Sequence, residues 1–294
     1  MKHIIFLISV FFCCAQVVSQ ENENSLLWEI SGKKTKSTSY LFGTIHLIDE
    51  NRFIFPDNLG DNLAKTELLI LEIGSISEQM ASQDVSMLLL ENGASLFNQL
   101  NNSQLDSLFS FFNEVFEMNQ SQVEIQFSQL KPIVVAQFIL QSYFGANPKS
   151  YELILEQLAK ENKIDIIGLE TVNEQLQILT EIDLNLQVQI LMNSIDKTAN
   201  TEELDELITL YYQQQIDSLS QISIDYKLHN NSLEQELLIK RNKKWIPKLK
   251  NHLKKNSCFI AVGAAHLGGP NGLIRLLINE GYQLTPINLE INEK

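Results

Sequence analysis

Apolar and polar positions along the chain follow two rhythms. Four short apolar runs each end on a polar side chain: Tyr40–Ile45 runs into His46, Leu68–Leu71 into Glu72, Ile164–Leu169 into Glu170, and Cys258–Gly263 through Ala264 and Ala265 into His266. The last three show little alternation, the pattern of strands covered by helices on both faces, which predicts a parallel or mixed sheet. Leu27–Ile30 and Gln283–Leu289 read as two further strands. Between Ser75 and Lys163 the period becomes helical. There, Leu153, Ile154, Leu158 and Ala159, interleaved with Glu152, Glu156, Gln157 and Lys160, predict an amphipathic stripe. The pattern returns over Val172–Met192 and over Asn231–Leu253, where Leu233, Leu237, Leu238, Arg241, Trp245 and Leu249 share helical spacing and Pro247 predicts a break or kink. Ala199–Tyr226 is acidic and amphipathic and predicts a solvated helical pair. The expected fold is α/β: a central mixed or parallel sheet flanked by helices, with a large helical insertion over about residues 75–163. No linker rich in Pro, Gly or Ser divides residues 20–294, so a single domain is expected.

The amino terminus follows a different logic. Lys2 and His3 precede the apolar run Ile4–Phe12, too short to span a bilayer but suited to a secretory signal, and Val17-Val18-Ser19 before Gln20 supplies a small-x-small cleavage pattern. Residues 1–19 are therefore expected to be a signal peptide and the protein to be exported, periplasmic or secreted, with no transmembrane anchor beyond that segment. Lipoprotein anchoring at Cys13 is disfavoured, because bulky Phe12 stands where a small residue is wanted. With 22 Lys and Arg against 36 Asp and Glu, the net charge of −14 would repel a phosphate backbone and excludes nucleic acid as the expected partner. Twelve Gly and six Pro give too few turn signals for an all-β sandwich. Of three Cys, Cys13 and Cys14 lie in the signal segment, so Cys258 has no partner for a disulfide and reads as inert core.

Chemistry concentrates at the strand ends. Gly43-x-x-His46 and Gly263-x-x-His266 share one local frame, and a Gly ahead of a strand-end His allows a sharp turn or a close approach at the mouth of a site. In a parallel sheet ligands bind beyond the carboxyl ends of the strands, where His46, Glu72, Glu170 and His266 would meet. Two imidazoles and a carboxylate suffice to hold a catalytic metal with a position open for water. Glu170 is then an outer orienter, a fourth ligand or a general base, and a His–Glu pair activates water without any metal. Arg241 on an apolar helix stripe either pairs with a site carboxylate or lies along the surface. The phosphate-loop, dinucleotide, His-Glu-x-x-His and Gly-x-Ser-x-Gly patterns are absent. His229 and His252 read as solvent-facing helix positions.

Leu27-Trp28-Glu29-Ile30-Ser31-Gly32, followed in order by Tyr40–His46, Leu71-Glu72-Ile73, Gly168-Leu169-Glu170-Thr171, the Arg241-Asn242 and Trp245 stretch, and Val262-Gly263-Ala264-Ala265-His266-Leu267, resembles the TraB/GumN family, which includes the Tiki proteases. The resemblance runs from about Leu26 to Ile287. It implies an α/β fold of the erythromycin-esterase and ChaN-like kind and, for the Tiki branch, a peptidase dependent on divalent manganese or cobalt and acting on a peptide or protein. Carried over, His46, Glu72 and His266 are the implied metal ligands, Glu170 and Arg241 the implied catalytic groups, and Gly43 and Gly263 shape the site. The chain departs from the family pattern over Gly145–Glu152, where many relatives carry a Gly-Leu/Val-Asp type sequence. The family also holds members linked to pheromone shutdown or polysaccharide production. An exported metal-dependent hydrolase is the leading expectation; a non-catalytic peptide- or glycan-binding protein and a metal-independent esterase are the alternatives.

Overall fold

A computed structural model describes residues 24–75, 83–225 and 231–289; residues 1–19, expected to be a signal peptide, and His229 lie outside them. Six strands, β1 (Leu27–Ser31), β2 (Ser39–Thr44), β3 (Leu68–Ile73), β4 (Asp165–Glu170), β5 (Cys258–Gly263) and β6 (Gln283–Ile287), form one sheet in the order β4-β3-β5-β2-β1-β6. The four strands β4, β3, β5 and β2 are parallel, and β1 runs antiparallel to both β2 and β6. The sheet is thus mixed. Helices α1 (Asp57–Leu63), α2 (Asn102–Phe116), α3 (Gln120–Phe127), α4 (Pro132–Gln141), α5 (Tyr151–Glu161), α6 (Val172–Thr180), α7 (Leu184–Ser194), α8 (Lys197–Tyr212), α9 (Ile216–Asp225), α10 (Asn231–Glu234), α11 (Lys240–Leu253) and α12 (Leu273–Asn279) surround it.

β2 and β5 are buried at every position, which accounts for their unbroken apolar runs. Around the sheet lies one hydrophobic core, and a second is built from Leu96, Leu108, Phe112, Phe127, Val135 and Ile139 with Val188 and Leu191. The second core therefore draws on α7, beyond residue 163, whereas α5 contributes Tyr151, Leu155 and Ala159 to the first.

Helix α5 turns a different face inward from the one its apolar spacing predicts. Glu152 and Glu156 are buried and Leu153 is 52% exposed, because both carboxylates find hydrogen-bond partners: Glu152 the buried hydroxyls of Thr44 and Ser150, Glu156 half-buried Ser75 and the exposed ammonium of Lys160. The Val172–Met192 pattern divides into α6 and α7 at Asp183, whose side chain accepts from the N–H groups of Asn185 and Leu186. The acidic pair forms as α8 and α9 yet is not simply solvated: Ile208, Tyr211, Ile216 and Leu219 join the core. Helix α11 runs on through Pro247, held to the sheet by buried Trp245, Ile246 and Leu249. Its departure from α geometry is a π turn just upstream, at Gln235–Ile239.

Candidate active site

Parallel pairing of β2, β5, β3 and β4 brings their carboxyl ends to one edge of the sheet. His46 follows β2, Glu72 is the penultimate residue of β3, Glu170 ends β4, and His266 closes the short 3-10 turn Ala264–His266 after β5. Glu72, Glu170 and His266 are buried, while the His46 side chain is 65% exposed to the cleft.

The two histidines are set in the same way. His46 Nδ1 lies 2.8 Å from Glu152 Oε1, a carboxylate that also accepts from Thr44 Oγ1 at 2.5 Å and from Ser150 Oγ at 2.8 Å. For His266 the partner is Asn242. The Asn242 Nδ2 group donates to the carbonyls of His266 (3.2 Å) and Asn271 (2.9 Å), which leaves its Oδ1 as acceptor, 2.7 Å from His266 Nδ1. The Nδ1 therefore carries the proton and Nε2 presents a lone pair. Both Nε2 atoms turn toward the same oxygen, Glu72 Oε1, at 3.9 Å from His46 and 3.7 Å from His266. Trp245 packs against the His266 ring at a centroid distance of 4.5 Å.

Glu72 is held from three sides. The Gly263 N–H donates to Oε1 (2.8 Å), and Oε2 accepts from Arg241 Nη2 (2.5 Å) and Gln175 Nε2 (3.1 Å). Arg241 Nε donates to Glu170 Oε2 (3.0 Å), its Nη1 to the Leu237 carbonyl (3.1 Å) and to the His266 Nε2 lone pair (3.2 Å). Of the two places open to Arg241, pairing with site carboxylates is the one it occupies. The Glu170 side chain is fully buried behind Arg241, so it positions the guanidinium and does not line the cleft.

Glycine makes this proximity possible. A Cβ on Gly263 would stand 3.2 Å from His46 Nε2 and 3.3 Å from Glu72 Oε1, and one on Gly43 would stand 3.0 Å from the Ala264 Cα. Both spacings are tighter than side chains ordinarily tolerate, so the motif glycines give the strand ends room to converge.

The electrostatics separate the groups. Burial works against the charge on Glu72, but the imidazoles, Arg241 and the Gly263 N–H outweigh it and hold the carboxyl well below the usual range. Desolvation pulls His46 down, and the Glu152 charge, its hydrogen bond and Glu72 overcome this and raise it to about 9. Desolvation dominates at His266 and lowers it to about 3, against the pull of Glu72. One imidazole is thus cationic and the other neutral at pH 7. Elsewhere, half-buried His252 belongs to α11 outside the site, and burial raises the Cys258 thiol to about 12.

His46, Glu72, His266 and Arg241 are brought together, and Glu170 supports them from behind. Glu152, Asn242 and Gln175 complete the arrangement: Glu152 and Gln175 belong to none of the motifs, and Asn242 stands in the Arg241-Asn242 stretch, where its partnership with His266 was not read.

Each imidazole has its Nδ1 engaged by an acceptor and its Nε2 turned to a carboxylate, the orientation that a metal-ligating histidine takes. Arg241 nevertheless stands against two of the three donors, and no three His, Cys, Asp or Glu side chains among the described residues converge closely enough to enclose an ion.

A mixed α/β sheet with paired Gly-x-x-His strand ends closing on a buried Glu–Arg pair defines the class. The chain belongs to the TraB/PrgY/gumN family, whose model matches residues 26–286. No curated protein and no solved structure matches it.

Proposed function

We propose that this cleft belongs to an exported, metal-dependent hydrolase acting on peptide bonds. One observation carries the reading: two strand-end imidazoles, each with Nδ1 engaged, turn Nε2 toward a single buried carboxylate oxygen. His46, Glu72 and His266 are the side chains that would hold a divalent ion. When bound, such an ion supplies a Lewis acid that acidifies water and polarises a carbonyl.

The chain's own groups have defined tasks. Glu152 and Asn242 fix ring orientation and tautomer, leaving both Nε2 atoms as donors of a lone pair once His46 is deprotonated. Arg241, anchored by Glu170 and the Leu237 carbonyl, keeps Glu72 ionised and offers its remaining N–H capacity to an oxyanion. In the net reaction water adds to the carbonyl carbon, the C–N bond breaks, and the proton released by water is returned to the leaving nitrogen. The export part of the proposal rests on residues 1–19.

A second reading follows from the position of Arg241 against two of the three donors. In it the His46–Glu152 pair works without metal: as the pH approaches about 9 and His46 loses its proton, its Nε2 accepts the proton of water and passes it to the leaving group. Mass spectrometry of peptide products, with and without chelator and added manganese or cobalt, separates the two. Loss of cleavage on chelation and recovery with metal support the first; chelator-indifferent cleavage supports the second. Saturable peptide binding without product overturns both.

A further inference from the structure

The cleft does not end at the histidines. Together with the space beyond them it forms one half-open cavity of about 460 Å³, whose far part is a chamber lined by helices α4, α6, α7, α8 and α9 and by the π turn ahead of α11. A cavity of about 150 Å³ holds benzene, so this one has room for roughly three groups of that size. Its walls carry Leu140, Leu179, Ile182, Ile190, Leu207 and Leu238, aliphatic side chains only partly buried. His46, Arg241, Gly263 and His266 line the same cavity, so the aliphatic chamber and the polar site form one space.

The local chain geometry joins the two. The π turn Gln235–Ile239 places Leu237 and Leu238 in the chamber wall, and the Leu237 carbonyl accepts from Arg241. At the sheet end, Tyr211 from α8 lines the cavity and donates to the Gly43 carbonyl at 3.0 Å. Small-molecule sites are typically apolar clefts with few convergent polar groups, and this chamber has that composition.

We infer that the chamber is the specificity pocket of the site and receives a bulky aliphatic side chain of a peptide next to the bond that is hydrolysed. The inference rests on the peptide-hydrolase reading. A peptide is favoured over a plain acyl chain because the amide side chains of Gln137 and Asn193 share the lining. Hydrocarbon alone would strip water from these amides without replacing its hydrogen bonds, whereas a peptide brings N–H and C=O groups that pair with them.

The test compares alanine-based heptapeptides with Gly, Ala or Leu at the central position, and hexanoyl-Gly-Gly-amide, as substrates of the full chain and of Ile190→Trp. Acetyl-Leu-Leu-amide and acetyl-Gly-Gly-amide are compared as calorimetric ligands. The leucine peptide is expected to exceed the glycine peptide at least about tenfold in kcat/KM, with the ratio collapsing in Ile190→Trp. Leu179→Trp, on another helix, repeats the comparison if the first variant misfolds. Equal handling of Gly and Leu peptides, or a preference that follows the acyl chain alone, overturns the inference. If nothing is cleaved but acetyl-Leu-Leu-amide binds at least tenfold tighter than the glycine compound and Ile190→Trp abolishes the difference, the pocket stands and the hydrolytic reading falls. If neither compound is cleaved or bound, the pocket is refuted.

Discussion

Glu152 Oε1 lies 2.8 Å from His46 Nδ1, although the two residues are 106 positions apart and only the histidine belongs to a recognisable motif. The contact joins the first turn of α5 to the end of β2. Its consequence is a cationic imidazole at neutral pH in a site whose other histidine is neutral. Glu152→Gln removes the charge and keeps the shape. In metal-free protein the His46 titration, followed by NMR, is expected to fall from about 9 toward the ordinary 6.5. An unchanged titration would mean that another group sets it.

Stability against pH follows with opposite signs for the two rings. The folded His46 pKa is raised, so its contribution is complete below 6.5 and is lost as pH rises through about 9. His266 is depressed to about 3, so the unfolded chain takes up a proton that the folded chain refuses, and stability falls as pH drops from 6.5 toward 3. The urea midpoint of metal-free protein should therefore decline on both sides of pH 6.5. Glu152→Gln should flatten the alkaline side and leave the His266 contribution on the acid side.

Arg241 shares its guanidinium between two buried carboxylates. Removing it as Arg241→Met strands Glu72 and Glu170 and is expected to cost about 3–5 kcal/mol in urea unfolding at pH 7. Arg241→Lys should recover only part of this, because an ammonium group cannot reproduce the fork. A neutral effect of Arg241→Met would show that the carboxylates find other partners.

The sheet and most of the site were legible because buried parallel strands write themselves as apolar runs, and their polar ends as His46, Glu72, Glu170 and His266. The resemblance added the order of the motifs. What stayed hidden depends on tertiary hydrogen bonding. Glu152 and Glu156 look like solvated helix positions until Thr44, Ser75 and Ser150 are seen to meet them. Asn242 acquires its role only when the His266 and Asn271 carbonyls fix the orientation of its amide. Pro247 does not end its helix as a break would, because packing of Trp245 and Leu249 carries the helix on to Leu253.

Gly263→Ala is expected to reduce activity more than stability. Its Cβ would crowd His46 Nε2 and Glu72 Oε1, and overpacking of this kind typically costs about 1–3 kcal/mol. Comparing kcat/KM with the urea midpoint checks this: a folded variant with full activity would show that the close approach at Gly263 is not required.

Hydrolysis by the paired strand-end histidines is what the proposed function requires. Its most direct measurement is the rate at which wild type and His46→Ala, each verified as folded by circular dichroism, release fragments from a leucine-containing peptide. Turnover by wild type and at least about a hundredfold loss in His46→Ala are expected. Full activity in the variant would contradict the proposed function.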